Sequence, residues 1–177
     1  WNKCFVDHYR NSKGQVVRSY SEREELQLDR WLELLEDHQF PIMIEITADL
    51  REYMRRNPDR IPQIKRIARE RKLEFLGGGT AIIDYNLVHG ESIYRNFLYS
   101  FAWLEENFGV RPAVPDVFDT FGLSAQLPQI LNQFGFPWLP IYLRVFGIYN
   151  HGVEIDRFRS TPHRPYWRGI DGSIVCI

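Results

Sequence analysis

The sequence has almost no net charge to offer a polyanion: 22 Lys and Arg stand against 23 Asp and Glu, a balance of -1 over 177 residues. Nucleic acid and anionic lipid recruit clustered positive charge, so neither is expected as a main partner. Cysteine is also scarce, with only Cys4 and Cys176, near opposite ends. One disulfide is the most they can make, and so low a count reads as reduced thiols in a cytoplasmic protein. The apolar runs fall far short of the roughly 20 residues that cross a bilayer, so no membrane span is expected, and no signal-peptide pattern is read at the start. The five histidines (His8, His38, His89, His151, His163) contain no HxxxH pair and there is no CxxC, so spacing alone assigns no metal site. A chain that opens on Trp1 and closes on the strand-like VCI is expected to be a piece of a longer one, with parts of any composite site outside it.

What is present describes one globular domain with a sizeable core, at 44% hydrophobic and 25% charged residues. The aromatic fraction of 15% is high. Sugar-binding clefts use such rings, but cores use more of them, and the core is the expected destination.

Periodicity gives an alternation of helices and strands. SEREELQLDRWLELLEDH (21–38) is amphipathic, with Leu26, Trp31, Leu34 and Leu35 at helical spacing and a capping box from Ser21 and Glu24. FPIMIEI (40–46) is a continuous apolar run, expected as a strand buried on both faces. Thr47 then caps a short helix through Met54. A further helix starts at Pro58 or Pro62 and runs to Lys72, its cationic face read as solvated. LEFLGGG (73–79) is a strand entering a glycine-rich corner, and residues 90–109 form a long helix ended by Gly109. PAVPDVF (112–118) is a strand, SAQLPQILNQFG (124–135) a helix, and LPIYLR (139–144) a short strand. Residues 146–165 are irregular, and YWRGIDGSIVCI (166–177) is a hairpin about Asp171-Gly172. This succession predicts an α/β fold with a mostly parallel sheet and covering helices.

In such folds, sites form where loops leave the carboxyl ends of strands. That rule selects Glu45 to Thr47, Gly77 to Asp84, and Asp116 to Phe121. GGGTAIIDYN (77–86) has glycines but no following Lys-Ser/Thr pair, so it is not read as a P-loop. A tight turn that lets the backbone approach a ligand or a neighbouring strand accounts for it better. Asp84 is a polar group near this turn, and Glu91 is most simply a first-turn acid favoured by the helix dipole. Asp119, at the end of a strand and before a helix, can attack a glycosidic carbon, bind a metal or act as a general base. The plainer alternative is a helix N-cap or Asx-turn. Asp116 lies inside the strand, pointing away or binding backbone. Phe121 can stack on a sugar face or fill the core.

Taken together, GGGTAIIDYNLVHGESIYRNFLYSFAWLEENFGVRPAVPDVFDTFGLSAQLPQILNQFGF resembles glycoside hydrolase family 38, the class II α-mannosidases. The shared pattern is a Gly-Gly corner at Gly78, an acid at Asp84, ES.xRN over Glu91 to Asn96, an approach over Phe108 to Pro112, and D-x-FG-x-S-x.LP.IL over Asp119 to Leu131. The opening WNKCFVDHYR is similar to the segment after the family's metal-binding HNDPG motif. The resemblance implies that residues 1–177 are part of the family's N-terminal catalytic domain, a distorted (β/α)7 barrel-like unit. It implies that Asp119 is the catalytic nucleophile and also a ligand of an active-site Zn2+. It further places Trp1 and Phe121 against the mannose and, with a shift of one residue, Arg144 near the nucleophile. The remaining zinc ligands and the general acid are implied outside this chain. The family usually has His or Tyr after Phe-Gly, where this sequence has Leu123.

The activity implied is retaining hydrolysis of an α-mannoside. Asp119 would form a covalent glycosyl-enzyme and a second carboxyl, about 5–5.5 Å away, would act as acid and then base. The expected partners are that substrate and the remaining domains of the same polypeptide, and a homo-oligomer is left open. The alternative is a non-catalytic sugar-binding or scaffold domain with an incomplete metal site. A metal-dependent deacetylase-like hydrolase is the third reading, but its own histidine ligands are missing from the sequence.

Overall fold

The computed structural model describes residues 8–10, 12–38, 40–117, 120, 122–140 and 166–176. The fold is α/β, with helices and small sheets in two compact units, Trp1–Met43 with Ala48–Glu74, and Ile44–Thr47 with Phe75–Ile177. Among the described residues the strands make three two-stranded sheets.

In the first unit, β1 (His8–Arg10) and β2 (Val16–Ser19) form an antiparallel hairpin that the periodicity did not anticipate. Gly14 turns its corner in the left-handed region, at φ 75°. Helix α1 (Tyr20–Asp37) follows without a break, so Ser21 falls within its first turn instead of at its cap. Its apolar stripe is also rotated from the expected one: Leu32 and Leu35 are buried, whereas Leu26 is 51% exposed. Leu35, Ile64 and Ile67 are sealed completely, together with Tyr53 and Met54 of α2 (Thr47–Arg56). Each such aliphatic chain contributes roughly 1.5–3 kcal/mol by leaving water. The Tyr53 phenol donates to Asp29, and burial, reinforced by that carboxylate, raises the pKa of its hydroxyl above the ordinary tyrosine range.

The helix expected over 58–72 is shorter. A 3-10 turn at Pro58–Arg60 leads into α3 (Ile61–Arg69), with Pro62 in its first turn. The chain then reverses through Arg71 at φ 59°, which turns Lys72 inward. Its Nζ donates to the Leu35 carbonyl at 2.9 Å and lies 3.7 Å from Glu70 Oε2. The cationic run is therefore solvated except at its last lysine. Arg66, exposed, bridges Glu36 and Glu70 in the kind of surface pairing that contributes little.

Strand β3 (Ile42–Ile44) corrects the expectation of a strand buried on both faces. Ile42 and Ile44 are half-buried, whereas Met43 is 58% exposed, so only one face is covered. It pairs with β4 (Leu73–Phe75). Hydrogen bonds climb both segments in the same direction, from Ile42 N–H to Lys72 O and from Leu76 N–H to Ile44 O. A parallel bridge joins Gly77 to Pro115, and another joins Trp138 to Cys176. Of the strand predicted over 112–118, only the bridge at Pro115 forms among the described residues 112–117.

In the second unit, α4 (Gly90–Phe108) is capped by His89, whose Nδ1 accepts from Glu91 N–H, and is ended by Gly109 in the left-handed region, as expected. Glu91 lies in its first turn and pairs with Arg95 at 2.8 Å. Helix α5 (Leu127–Gln133) starts three residues later than predicted, with Pro128 in its first turn. β5 (Tyr166–Arg168) and β6 (Ile174–Cys176) form the anticipated hairpin, its loop turned by Gly172 and held by Asp171, which accepts from Ser173. The Cys176 thiol is exposed and free. The aromatic surplus fills this core. Phe134 lies 5.5 Å from Phe97 and 5.3 Å from Phe101, and Phe101 meets Phe136 edge-on at 5.6 Å.

Candidate active site

The three loop ends selected from the sequence meet within the second unit. Gly78 N–H donates to the Glu45 carbonyl at 3.1 Å, Thr47 N–H to the Gly79 carbonyl at 3.1 Å, and Gly77 N–H to the Val114 carbonyl at 2.7 Å. The glycine corner is the place where neighbouring backbones touch, which decides between the two uses proposed for it. A Cβ on Gly78 would overlap the Glu45 carbonyl and rest 3.5 Å from Asp116 Cβ. A Cβ on Gly77 would sit 2.7 Å from Phe136 Cζ. No larger residue fits.

Asp116 is half-buried over this corner. It stands close enough to Tyr85 for its charge to add to the main effect, burial, in pushing the Tyr85 hydroxyl well above the usual tyrosine pKa. The strand's aspartate thus belongs to the corner and does not point away from it. Beyond it, the Thr120 hydroxyl donates to the Val117 carbonyl at 3.3 Å. Gly122, at φ 135°, is packed so closely on Asn86 that a Cβ would collide with the amide. The turn at 84–87, closed by Leu87 N–H to Asp84 O at 2.9 Å, therefore forms a wall beside the loop. Leu123, the departure from the family pattern, packs against the hydrophobic core.

Asp119, Phe121, Trp1 and Arg144 lie outside the described residues, as do His151 and His163. His89 serves as a helix cap and His38 stacks on Phe40 at 5.7 Å. Among the described residues no three of His, Cys, Asp or Glu are grouped to hold a metal ion. These residues therefore do not by themselves form the donor set a zinc ion needs.

Sequence reasoning assigned no bonding role to two polar residues of α4, Asn96, which ends the ES.xRN pattern, and Ser100. Asn96 Oδ1 accepts from Thr80 N–H and Ala81 N–H, both at 3.0 Å, while its Nδ2 donates to the Ala81 carbonyl at 2.9 Å. Ser100, fully buried, accepts from the Thr47 hydroxyl at 3.3 Å. Spaced four apart, the two share one face of the helix. A polar pair at that spacing reads as solvent-facing, so composition gave no sign of their partners, and the ES.xRN pattern marked Asn96 without saying what it bonds.

Comparison with known proteins extends this geometry. Residues 7–176 match the model of the glycosyl hydrolases family 38 N-terminal domain. Alpha-mannosidase G of Dictyostelium discoideum is 36% identical over 100 residues, covering 55% of this chain and 8% of that protein. An alpha-mannosidase of Saccharomyces cerevisiae is 28% identical over 181 residues, covering 96% of this chain and 15% of the relative. The solved structure of an alpha-mannosidase from Enterococcus faecalis V583 superposes with a TM-score of 0.69 at 19% identity, covering 96% of this chain and 18% of that one. That likeness is one of fold. The chain thus spans less than a fifth of the length of these relatives. With nearly all of its length matched, the chain belongs to glycosyl hydrolase family 38, within the N-terminal domain.

Proposed function

We propose that the protein carrying this chain is a retaining α-mannosidase, and that Asp119 is its nucleophile. The observation that supports the reading most is the family match over 7–176, whose relatives are named alpha-mannosidases. The meeting of Glu45–Thr47, Gly77–Ala81 and Asp116 at one corner supports it from the side of geometry, since the loop bearing Asp119 leaves from there. In this reading a carboxylate oxygen of Asp119 attacks the anomeric carbon and the glycosidic bond breaks. A carboxylic acid from outside this chain protonates the departing oxygen, then draws a proton from water that releases the sugar. Trp1, Phe121 and Arg144 line the sugar. Zinc, with Asp119 as one ligand and the others contributed from outside this chain, would supply Lewis-acid contacts to the sugar hydroxyls. The parallel segments are then part of a distorted (β/α)7 barrel-like catalytic domain, completed by the remaining domains of the polypeptide in the cytoplasm.

The test is turnover of an aryl α-mannoside by the full-length polypeptide, before and after chelation. Expected are hydrolysis with retained anomeric configuration, loss on chelation, and recovery with zinc. Binding of mannose without turnover would favour the sugar-binding or scaffold alternative.

A further inference from the structure

We propose that Asn96 is a positioning residue for the reacting corner, acting through the backbone of Gly79 to Ala81. The inference rests on the glycosidase reading given above. It starts from the concentration of bonds on one residue. The side chain takes up Thr80 N–H, Ala81 N–H and the Ala81 carbonyl, while the main-chain carbonyl of Asn96 accepts from Thr80 N–H at 3.0 Å and from the Thr80 hydroxyl at 3.2 Å. Gly79, at φ 84°, is pressed against the Asn96 amide so closely that no side chain fits there.

The segment held in this way supports the rest of the corner. The Gly79 carbonyl accepts from Thr47 N–H, and Gly78 accommodates both the Glu45 carbonyl and Asp116. One turn further along α4, Ser100 holds the Thr47 hydroxyl. The helix is itself anchored, with Ile93, Phe97 and Leu104 sealed in the core. A rigid element thus fixes two loop ends by side chains four residues apart, the arrangement that keeps reacting groups within a fraction of an ångström of their productive places. Without the amide, Ala81 loses both of its bonds to residue 96 and Thr80 keeps only those to the main-chain carbonyl there, so the floor under Asp116 can shift, which moves the loop that carries Asp119.

The experiment uses the full-length enzyme and counts competent sites by covalent labelling to completion with a slow 5-fluoro-mannosyl substrate. Asn96→Ala is expected to lower kcat per labelled site by about 30-fold with KM within about threefold of wild type, the scale of a misplaced reacting group. Asn96→Asp keeps both acceptor bonds but sets a carboxylate oxygen against the Ala81 carbonyl where the donor stood, so it too should lower kcat per labelled site, by about fivefold or more. Asn107→Ala removes an amide from the same helix that, among the described residues, bonds the Trp103 carbonyl of its own helix, and should leave kcat per site unchanged. If Asn96→Ala keeps the wild-type kcat per labelled site and merely melts earlier, Asn96 is a structural clamp and the inference is overturned. If that variant does not fold, Asn96→Asp decides: an unchanged kcat overturns the proposal. A wild type that neither turns over nor labels would sink the glycosidase reading, and this inference with it.

Discussion

Replacing Asp119 by Ala in the full-length enzyme is expected to reduce turnover of an aryl α-mannoside by at least about 10³-fold, the scale of losing an essential catalytic group. The loss is compound, because in the proposed mechanism the same carboxylate forms the glycosyl-enzyme and ligates zinc. The bound metal measured per chain should fall together with kcat. Asp116, three residues earlier, provides the contrast. It is half-buried over Gly78 beside Tyr85, and no step of the mechanism uses it. Asp116→Ala should act mainly on stability, by about 1–2 kcal/mol if the side chain is hydrogen-bonded in the fold. A tenfold or smaller effect at Asp119, measured as initial rates with the metal restored, would remove Asp119 from the nucleophile's role.

Gly78→Ala is expected to destabilise the fold by about 3 kcal/mol, near the upper end of what overpacking costs. The added methyl has no room, since its first neighbour is the Glu45 backbone carbonyl and not the end of a flexible side chain. Moving that carbonyl also breaks the 3.1 Å hydrogen bond that Gly78 donates to it, worth about 1 kcal/mol of the total. Gly135 is the internal control. Its φ is left-handed, 82°, which that of Gly78 is not, but a Cβ there meets nothing within 4 Å, so its alanine variant should lose only the about 1–2 kcal/mol of backbone strain. Chemical denaturation of the two variants checks the difference. Equal losses would mean that the corner is looser than its contacts indicate.

Much of the scaffold was legible because the deciding interactions were local. The long helix ended at Gly109, Glu91 lay in its first turn, and Asp171-Gly172 turned the last hairpin. The glycine corner was legible as a close approach, though not which backbone approached. What escaped the reading depended on partners distant in sequence. Lys72 belongs by composition to a solvated run, yet a carbonyl 37 residues away draws it inside. Leu26 looked like a core position until the packing of α1 placed Leu32 and Leu35 inward. Strand β3 looked continuous because apolar residues follow one another, but it pairs over only three of them and covers only Ile42 and Ile44. The meeting of the three loop ends followed from the general rule for α/β folds. Of the residues that fasten them, Asn96 stood in the family pattern and Ser100 did not, and the partners of neither were legible, because a helical amide that bonds another segment's backbone is written in the sequence like any solvated one.

The most direct measurement of the central claim is mass spectrometry of the full-length enzyme after reaction with a slow 5-fluoro-mannosyl substrate. The account predicts one sugar adduct on the peptide spanning Pro115 to Pro128, and fragmentation that assigns it to Asp119. A label on Asp116 or Asp84, or no label from an enzyme that hydrolyses mannosides with retention, would contradict it.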